Sequence, residues 1–253
     1  MNQTFTITFG DQAENHRGMQ IMGELADYGF DLDDLNRFKQ WFENKRCICE
    51  LKCLNDYLGI DINDKAYILI IKNGLQYMLE NKGSVNDFYN EQNTLNKDKK
   101  ALMYGKVVNK HARYNLCFND IGQNSDYENG KGTIIAFDKV PLLNHVRNMM
   151  EQIIGEKGRN LMAEGNYYYD PTKCGIGWHG DSERKKVIGV RVGKTMPLVF
   201  NWFYKGEKVG NLFRANLEHG DIYIMSEKTT GCDWKKKNIY TLRHAAGASK
   251  YIA

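Results

Sequence analysis

No run of about 18 apolar residues occurs anywhere in this sequence, which excludes a membrane-spanning helix. The stretch from Met1 to Gly18 lacks a basic segment followed by an apolar one, so no secretory signal is expected and an intracellular setting is. Cysteine is sparse, at 6 residues in 253, and proline sparser, at 3. A disulfide scaffold needs a denser supply, and without an export signal the thiols read as reduced. Cys47, Cys49 and Cys53 have the spacing of half a zinc site, yet no fourth ligand lies close and the surrounding Lys/Glu pattern suits a helix.

What is present is the composition of a folded protein, with 42% hydrophobic and 26% charged residues. Such a chain fills a core and is not disordered throughout. The net charge of +4 conceals an asymmetry. Residues 1–105 hold 12 Lys and Arg against 16 Asp and Glu, a balance of −4, whereas residues 106–253 hold 23 against 15, a balance of +8. An acidic front on a basic rear suggests two units, and the rear one favours a polyanion.

The front, residues 1–105, reads as mostly helical and of unknown role. From Asp31 onward, Leu35, Phe38, Trp41 and Phe42 fall at helical spacing, with acidic residues at the amino end where the helix dipole favours them. Tyr67 to Ile71 and Leu75 to Leu79 look like core segments of undecided type. The polar stretch from Asn81 to Lys100 reads as a linker or long loop.

The rear opens with strand-like segments at Tyr114 to Phe118 and Gly132 to Phe137. A helix follows, with Asp138 as its expected cap, Pro141 in its first turn, an apolar face from Leu142 to Ile154, and Gly155 as its stop. Short glycine-punctuated strands come next: Asn166 to Tyr169, Val187 to Val192, Leu198 to Tyr204 and Asp221 to Met225. This spacing predicts an antiparallel barrel or sandwich backed by the helix, an α+β fold.

One segment carries chemistry. His179 and Asp181 stand two apart, so on a strand both side chains point to the same face. A further His from a distant strand would complete a two-His-one-carboxylate facial triad, which holds Fe(II) and leaves positions open. His244 is available for it. The ordered pieces Asn166-Tyr-Tyr, His179-Gly-Asp-Ser-Glu, the strand from Val187 to Phe200, and His219-Gly-Asp-Ile-Tyr-Ile-Met resemble the AlkB-type Fe(II)/2-oxoglutarate dioxygenases over residues 110–253.

The resemblance implies a double-stranded β-helix, or jelly roll, with iron at its open end and 2-oxoglutarate and O2 as co-substrates. It assigns His179 and Asp181 as ligands, and Asn166 with Tyr168 or Tyr169 as hydrogen-bond partners of 2-oxoglutarate. Strand alternation favours Tyr168. It treats His219 as structural. Decarboxylation to succinate and CO2 would accompany hydroxylation of a C–H bond, and hydroxylation of an N-methyl group ends in demethylation.

Two departures leave alternatives open. The usual distal His is absent from the region of Thr229 to Lys237, and the usual terminal arginine has no counterpart before Ala253. Either His244 is the third ligand and Arg191 or Lys250 takes the far carboxylate, or Arg243 is the co-substrate arginine. In the second case the third ligand is missing or is Cys232 or Asp233. For substrate, Arg184, Lys185, Lys186, Lys228 and Lys235 to Lys237 beside Trp234 suggest a single strand or a flipped base of nucleic acid, with Glu183 reading an exocyclic amine. The alternatives are hydroxylation of a protein or amino-acid side chain on the same iron, or an inactive binding module.

Overall fold

The structure, a computed structural model, describes residues 1–253. The chain begins with strand β1 (Thr4–Gly10), whose sequence alternates threonine with large apolar residues. Strands β2 (Gln12–Glu14) and β3 (Ile21–Gly23) pair as a small hairpin. Helix α1 (Leu32–Glu43) starts at a capping box between Asp31 and Asp34 and buries Leu35, Phe38 and Phe42. Trp41 stays half-buried, with the Lys45 ammonium 4.4 Å from its ring centre. Strands β4 (Cys49–Cys53) and β5 (Tyr67–Ile71) follow, then helices α2 (Gly74–Leu79) and α3 (Val85–Thr94). A hairpin of β6 (Lys100–Met103) and β7 (Lys106–Asn109) closes this part.

Three expectations fail here. The front is not mostly helical, because it contributes six strands, and residues 81–100 are not a loop, because α3 occupies their centre. Ser84 and Asp87 form its capping box, while Val85, Phe88 and Gln92 are buried. Nor is there a domain boundary near residue 105. Strand β1 pairs on one side with residues 162–168 and on the other with residues 188–193, so the front is woven through the rear.

The rear supplies β8 (Tyr114–Asn119), β9 (Ile134–Ala136), helix α4 (Pro141–Ile154), β10 (Met162–Tyr168), β11 (Gly175–His179) and β12 (Val187–Gly193). After these come β13 (Met196–Tyr204), β14 (Glu207–Leu217), β15 (Ile222–Met225), the short helix α5 (Glu227–Thr230), β16 (Thr241–Gly247) and a last turn, α6 (Ser249–Ile252). Asp138 does not cap α4. Its first-turn amides from Leu142 and Leu143 donate instead to the Glu91 carboxylate on α3, at 2.8 and 3.0 Å.

The fold is mixed α and β, dominated by antiparallel sheets. Eight strands form the larger sheet in the order β4-β5-β15-β12-β1-β10-β8-β9, and four form the smaller in the order β11-β16-β13-β14. No helix is long and apolar enough to cross a membrane. The larger sheet is covered on both faces. Its outer face packs α1 to α4 through Phe5, Ile7, Phe9, Leu116, Ile188 and Val190, all fully or almost fully buried. Its inner face meets the smaller sheet through Tyr168, Val187, Tyr223 and Met225 against Leu198, Phe200 and Ala246. Each large apolar side chain buried in this way contributes roughly 1.5–3 kcal/mol. Between the two sheets a cavity of about 720 Å³ remains.

Candidate metal centre

Register brings the candidate ligands together. On the antiparallel pair β11 and β16, His179 lies directly opposite His244. Cross-strand partners share a face, so the two imidazoles meet with ring centres 4.3 Å apart. Asp181 sits two residues past His179, with its amide donating to the Thr230 carbonyl at 2.9 Å. Gly180 lets the chain make this step: a β-carbon there would fall 2.2 Å from the Gly231 carbonyl oxygen and 2.7 Å from Trp234. Asp181 Oδ1 lies 3.6 Å from His179 Nε2 and 3.7 Å from His244 Nε2. The donor atoms of all three residues fall within 4.8 Å of one another.

Orientation favours ligation. His179 Nδ1 lies 2.8 Å from the Gly177 carbonyl oxygen, to which it donates when protonated, leaving the Nε2 lone pair toward Asp181 and His244. Burial drives the His244 imidazole well below its ordinary value, with His179 and Arg184 adding to the effect, so it is neutral and ready to coordinate. The Asp181 carboxyl is raised by burial, opposed by the Arg184 guanidinium and His179. Two imidazoles and one carboxylate on the wall of an open cavity form a donor set that suits Fe(II).

A buried ionic cluster braces the carboxylate. Arg184 is 4% exposed and donates to Glu164 at 2.6 Å and to Glu183 at 3.0 Å, with Asp181 at 4.0 Å. Burial pushes the Glu164 carboxyl up, but Arg184 and Arg113 outweigh it and hold the group below its usual range. Asn166 extends the chain of bonds: its Nδ2 donates to Glu164, and its Oδ1 accepts from Arg113 at 2.5 Å and from Asn115 at 2.9 Å.

Of the residues expected at the site, Asn166, Tyr168, Arg191, Glu183, Trp234 and Lys235 line the cavity with His179, Asp181 and His244. Tyr169 does not; it stacks on Tyr114 and donates to the His111 carbonyl. Arg243 is turned away, its guanidinium 4.1 Å from the Phe203 ring and 5.2 Å from Trp234. Strand alternation is the reason, because Arg243 adjoins the inward His244. Lys250 lies on the exposed α6, over Tyr251, and Lys236 faces a neighbouring groove rather than the cavity. Cys232 and Asp233 are outside the donor cluster, and Asp233 pairs with Lys228 at 2.7 Å. His219 accepts from the Gly193 amide through Nδ1 and adjoins Asn86, a structural role.

The expected basic patch is smaller than its sequence. Arg184 is consumed in the ionic cluster, Lys185 donates to the Asp27 carbonyl, and Lys228 serves Asp233 and the Tyr240 carbonyl. Lys235 to Lys237 are exposed. The three cysteines of the front do not converge with a fourth ligand: Cys47 is in the helix-side core, Cys49 donates to the Lys39 carbonyl, and Cys53 adjoins Asn55.

Arg191 stands apart from the other cations. It is 1% exposed, lines the cavity, and has no carboxylate within ion-pair distance. Only one bond is made, from its Nη1 to the Met196 carbonyl at 3.2 Å, and its Nε has no partner. Burial pulls its guanidinium below the ordinary value. An unpaired buried charge costs several kcal/mol, a cost that an anion bound beside it would offset.

The front supplies cavity residues that a reading centred on the rear missed. Thr6 and Thr8 project from β1, and Glu14, Asn15, His16 and Arg17 from the β2–β3 hairpin. Asn15 is tied down by Lys110 and Asp98, each at 2.7 Å, while Arg17 lies 5.9 Å from the Trp234 ring centre. The signal for β1 was present as the strict alternation Thr-Phe-Thr-Ile-Thr-Phe.

No family model matches this sequence. An uncharacterized protein of Acanthamoeba polyphaga mimivirus is 46% identical over 255 residues, an alignment spanning 100% of this chain and 98% of its own length. The chain belongs to the same family as that mimivirus protein.

Proposed function

We propose that this protein is an AlkB-type Fe(II)/2-oxoglutarate-dependent dioxygenase that hydroxylates, and so oxidatively demethylates, alkylated nucleic-acid bases. The observation that carries the reading is the convergence of His179, Asp181 and His244 on a cavity that also holds the unpaired Arg191. A metal at one end and an anion-binding cation in the same chamber are what a chelating 2-oxo dicarboxylate requires.

Topology supports a jelly roll. Strands β10 to β16 pass from sheet to sheet: β10, β12 and β15 lie in the larger, while β11, the β13–β14 hairpin and β16 lie in the smaller. Eight such strands make the fold, and the place between β12 and β10 is taken by β1.

With iron, 2-oxoglutarate and O2 bound, the chemistry supplied is oxidative decarboxylation coupled to C–H hydroxylation. The chain's own residues have separable tasks. His179, Asp181 and His244 would hold the metal by one side. Arg184 and Glu164 fix the carboxylate beside it, and Arg191 would hold the far carboxylate of the co-substrate. Leu198, Met225 and Ala246 give part of the cavity an apolar lining. At the mouth, Trp234, Arg17 and Lys235 offer a stacking surface with positive charge, which suits a base presented from a single strand. The binding-module reading depended on His244 falling short, and its Nε2 stands 3.7 Å from Asp181.

The test is succinate release from Fe(II), 2-oxoglutarate and an N-methylated single-stranded oligonucleotide. Wild type turns over and His179→Ala does not. Turnover surviving in His179→Ala would sink the metal assignment, and succinate formed with peptides but with no oligonucleotide would move the substrate to protein.

A further inference from the structure

Strand β1 puts a hydroxyl beside the unpaired arginine. In the antiparallel register of β1 and β12, Thr6 stands directly opposite Arg191, and both line the cavity. Opposed residues on one face have β-carbons roughly 4.5–5.5 Å apart, within reach of a shared ligand. Thr6 is 4% exposed and Arg191 1%, yet Thr6 Oγ1 and Arg191 Nε have no hydrogen-bond partner. Two orphaned polar groups side by side in one cavity wall are rare, because each loses water without compensation. The neighbouring Thr4 shows the alternative, its hydroxyl satisfied by the Lys194 carbonyl at 2.6 Å.

We infer that Thr6 is a co-substrate-binding residue: its hydroxyl and the Arg191 guanidinium together hold the far carboxylate of 2-oxoglutarate. This rests on the dioxygenase reading of the cavity. A carboxylate is acceptor-only, so one oxygen takes the guanidinium N–H and the other the threonine O–H. Tyr168 and Tyr223, both buried beside Arg191, close the chamber around that end. The anchor for the co-substrate thus comes partly from the first ten residues of the chain.

The experiment is calorimetric titration of the Mn(II)-loaded protein with 2-oxoglutarate, and with 2-oxobutyrate, which lacks the far carboxylate. Thr6→Val removes the hydroxyl at nearly constant shape and should weaken 2-oxoglutarate about tenfold. Thr6→Ser restores the hydroxyl and should bind nearly as wild type, and 2-oxobutyrate should not distinguish the variants. Arg191→Met should abolish the preference for 2-oxoglutarate over 2-oxobutyrate. If Thr6→Val binds 2-oxoglutarate as tightly as wild type while Arg191→Met loses it, the role of Thr6 is wrong and the function stands. Equal losses in Thr6→Ser and Thr6→Val also overturn it, since the hydroxyl is then not the cause. Failure of wild type to bind 2-oxoglutarate with metal present overturns the function itself.

Discussion

The two faces of the larger sheet, both buried, are built on opposite rules. Along β1, Phe5, Ile7 and Phe9 turn outward into the helix-side core, while Thr4, Thr6 and Thr8 turn inward toward the smaller sheet. Along β10, Ala163 and Tyr167 join the outer core, and Glu164, Asn166 and Tyr168 face the cavity. The outer face is closed: even the Tyr167 hydroxyl is satisfied, by Gln92 at 2.9 Å. The inner face keeps unpartnered groups, Thr6 Oγ1 and Arg191 Nε, and the smaller sheet across the cavity adds His244 Nδ1. One face stabilises the protein, and the other carries the stability cost of buried polar groups left unpaired.

Substitutions break the comparison in a graded way. Phe9→Ala on the outer face leaves a cavity under the helices and should cost about 3–5 kcal/mol, read from urea unfolding. A loss below about 1 kcal/mol would show that this face carries less of the stability than claimed. On the inner face Arg191→Met should do the reverse, raising the stability of the ligand-free protein by roughly 1–2 kcal/mol by removing an unpaired buried charge. Destabilisation by Arg191→Met would mean that the guanidinium already has a compensating partner.

A smaller effect concerns pH. The Glu14 carboxyl on the cavity wall is raised from 4.5 to about 7, chiefly by burial and against the lowering bond from the Gly18 amide. The folded chain therefore keeps a proton that the unfolded chain has lost. The stability this group contributes is full below its unfolded value and is lost as pH rises through about 7. Glu14→Gln should flatten that part of the profile in urea unfolding between acid and neutral pH. An identical slope in wild type and variant would remove Glu14 from the account.

Much of the centre was legible because it is local. The two-residue step from His179 to Asp181 fixes a shared face, and the helix at Pro141–Ile154 follows from its apolar stripe. Alternation also had the power to dismiss Arg243, since a neighbour of an inward His244 points outward. What escaped was long-range pairing. Nothing within Thr4–Gly10 says that it will lie between strands drawn from residues 162–168 and 187–193, so the front looked separable. The Ser84 and Asp87 capping box was available, but the polar surroundings of α3 masked it because only Val85, Phe88 and Gln92 are buried. Charge counting overestimated the basic mouth, as it cannot see which cations are spent on internal partners.

The central claim is that the cavity between the two sheets holds iron and a 2-oxo dicarboxylate together. Anaerobic titration of the protein with Fe(II) in the presence of 2-oxoglutarate, followed by visible charge-transfer absorption, tests it most directly. The account predicts a band that saturates at one iron per chain in wild type and is lost in both His179→Ala and His244→Ala. Absence of the band in wild type, or its survival in those variants, would contradict it.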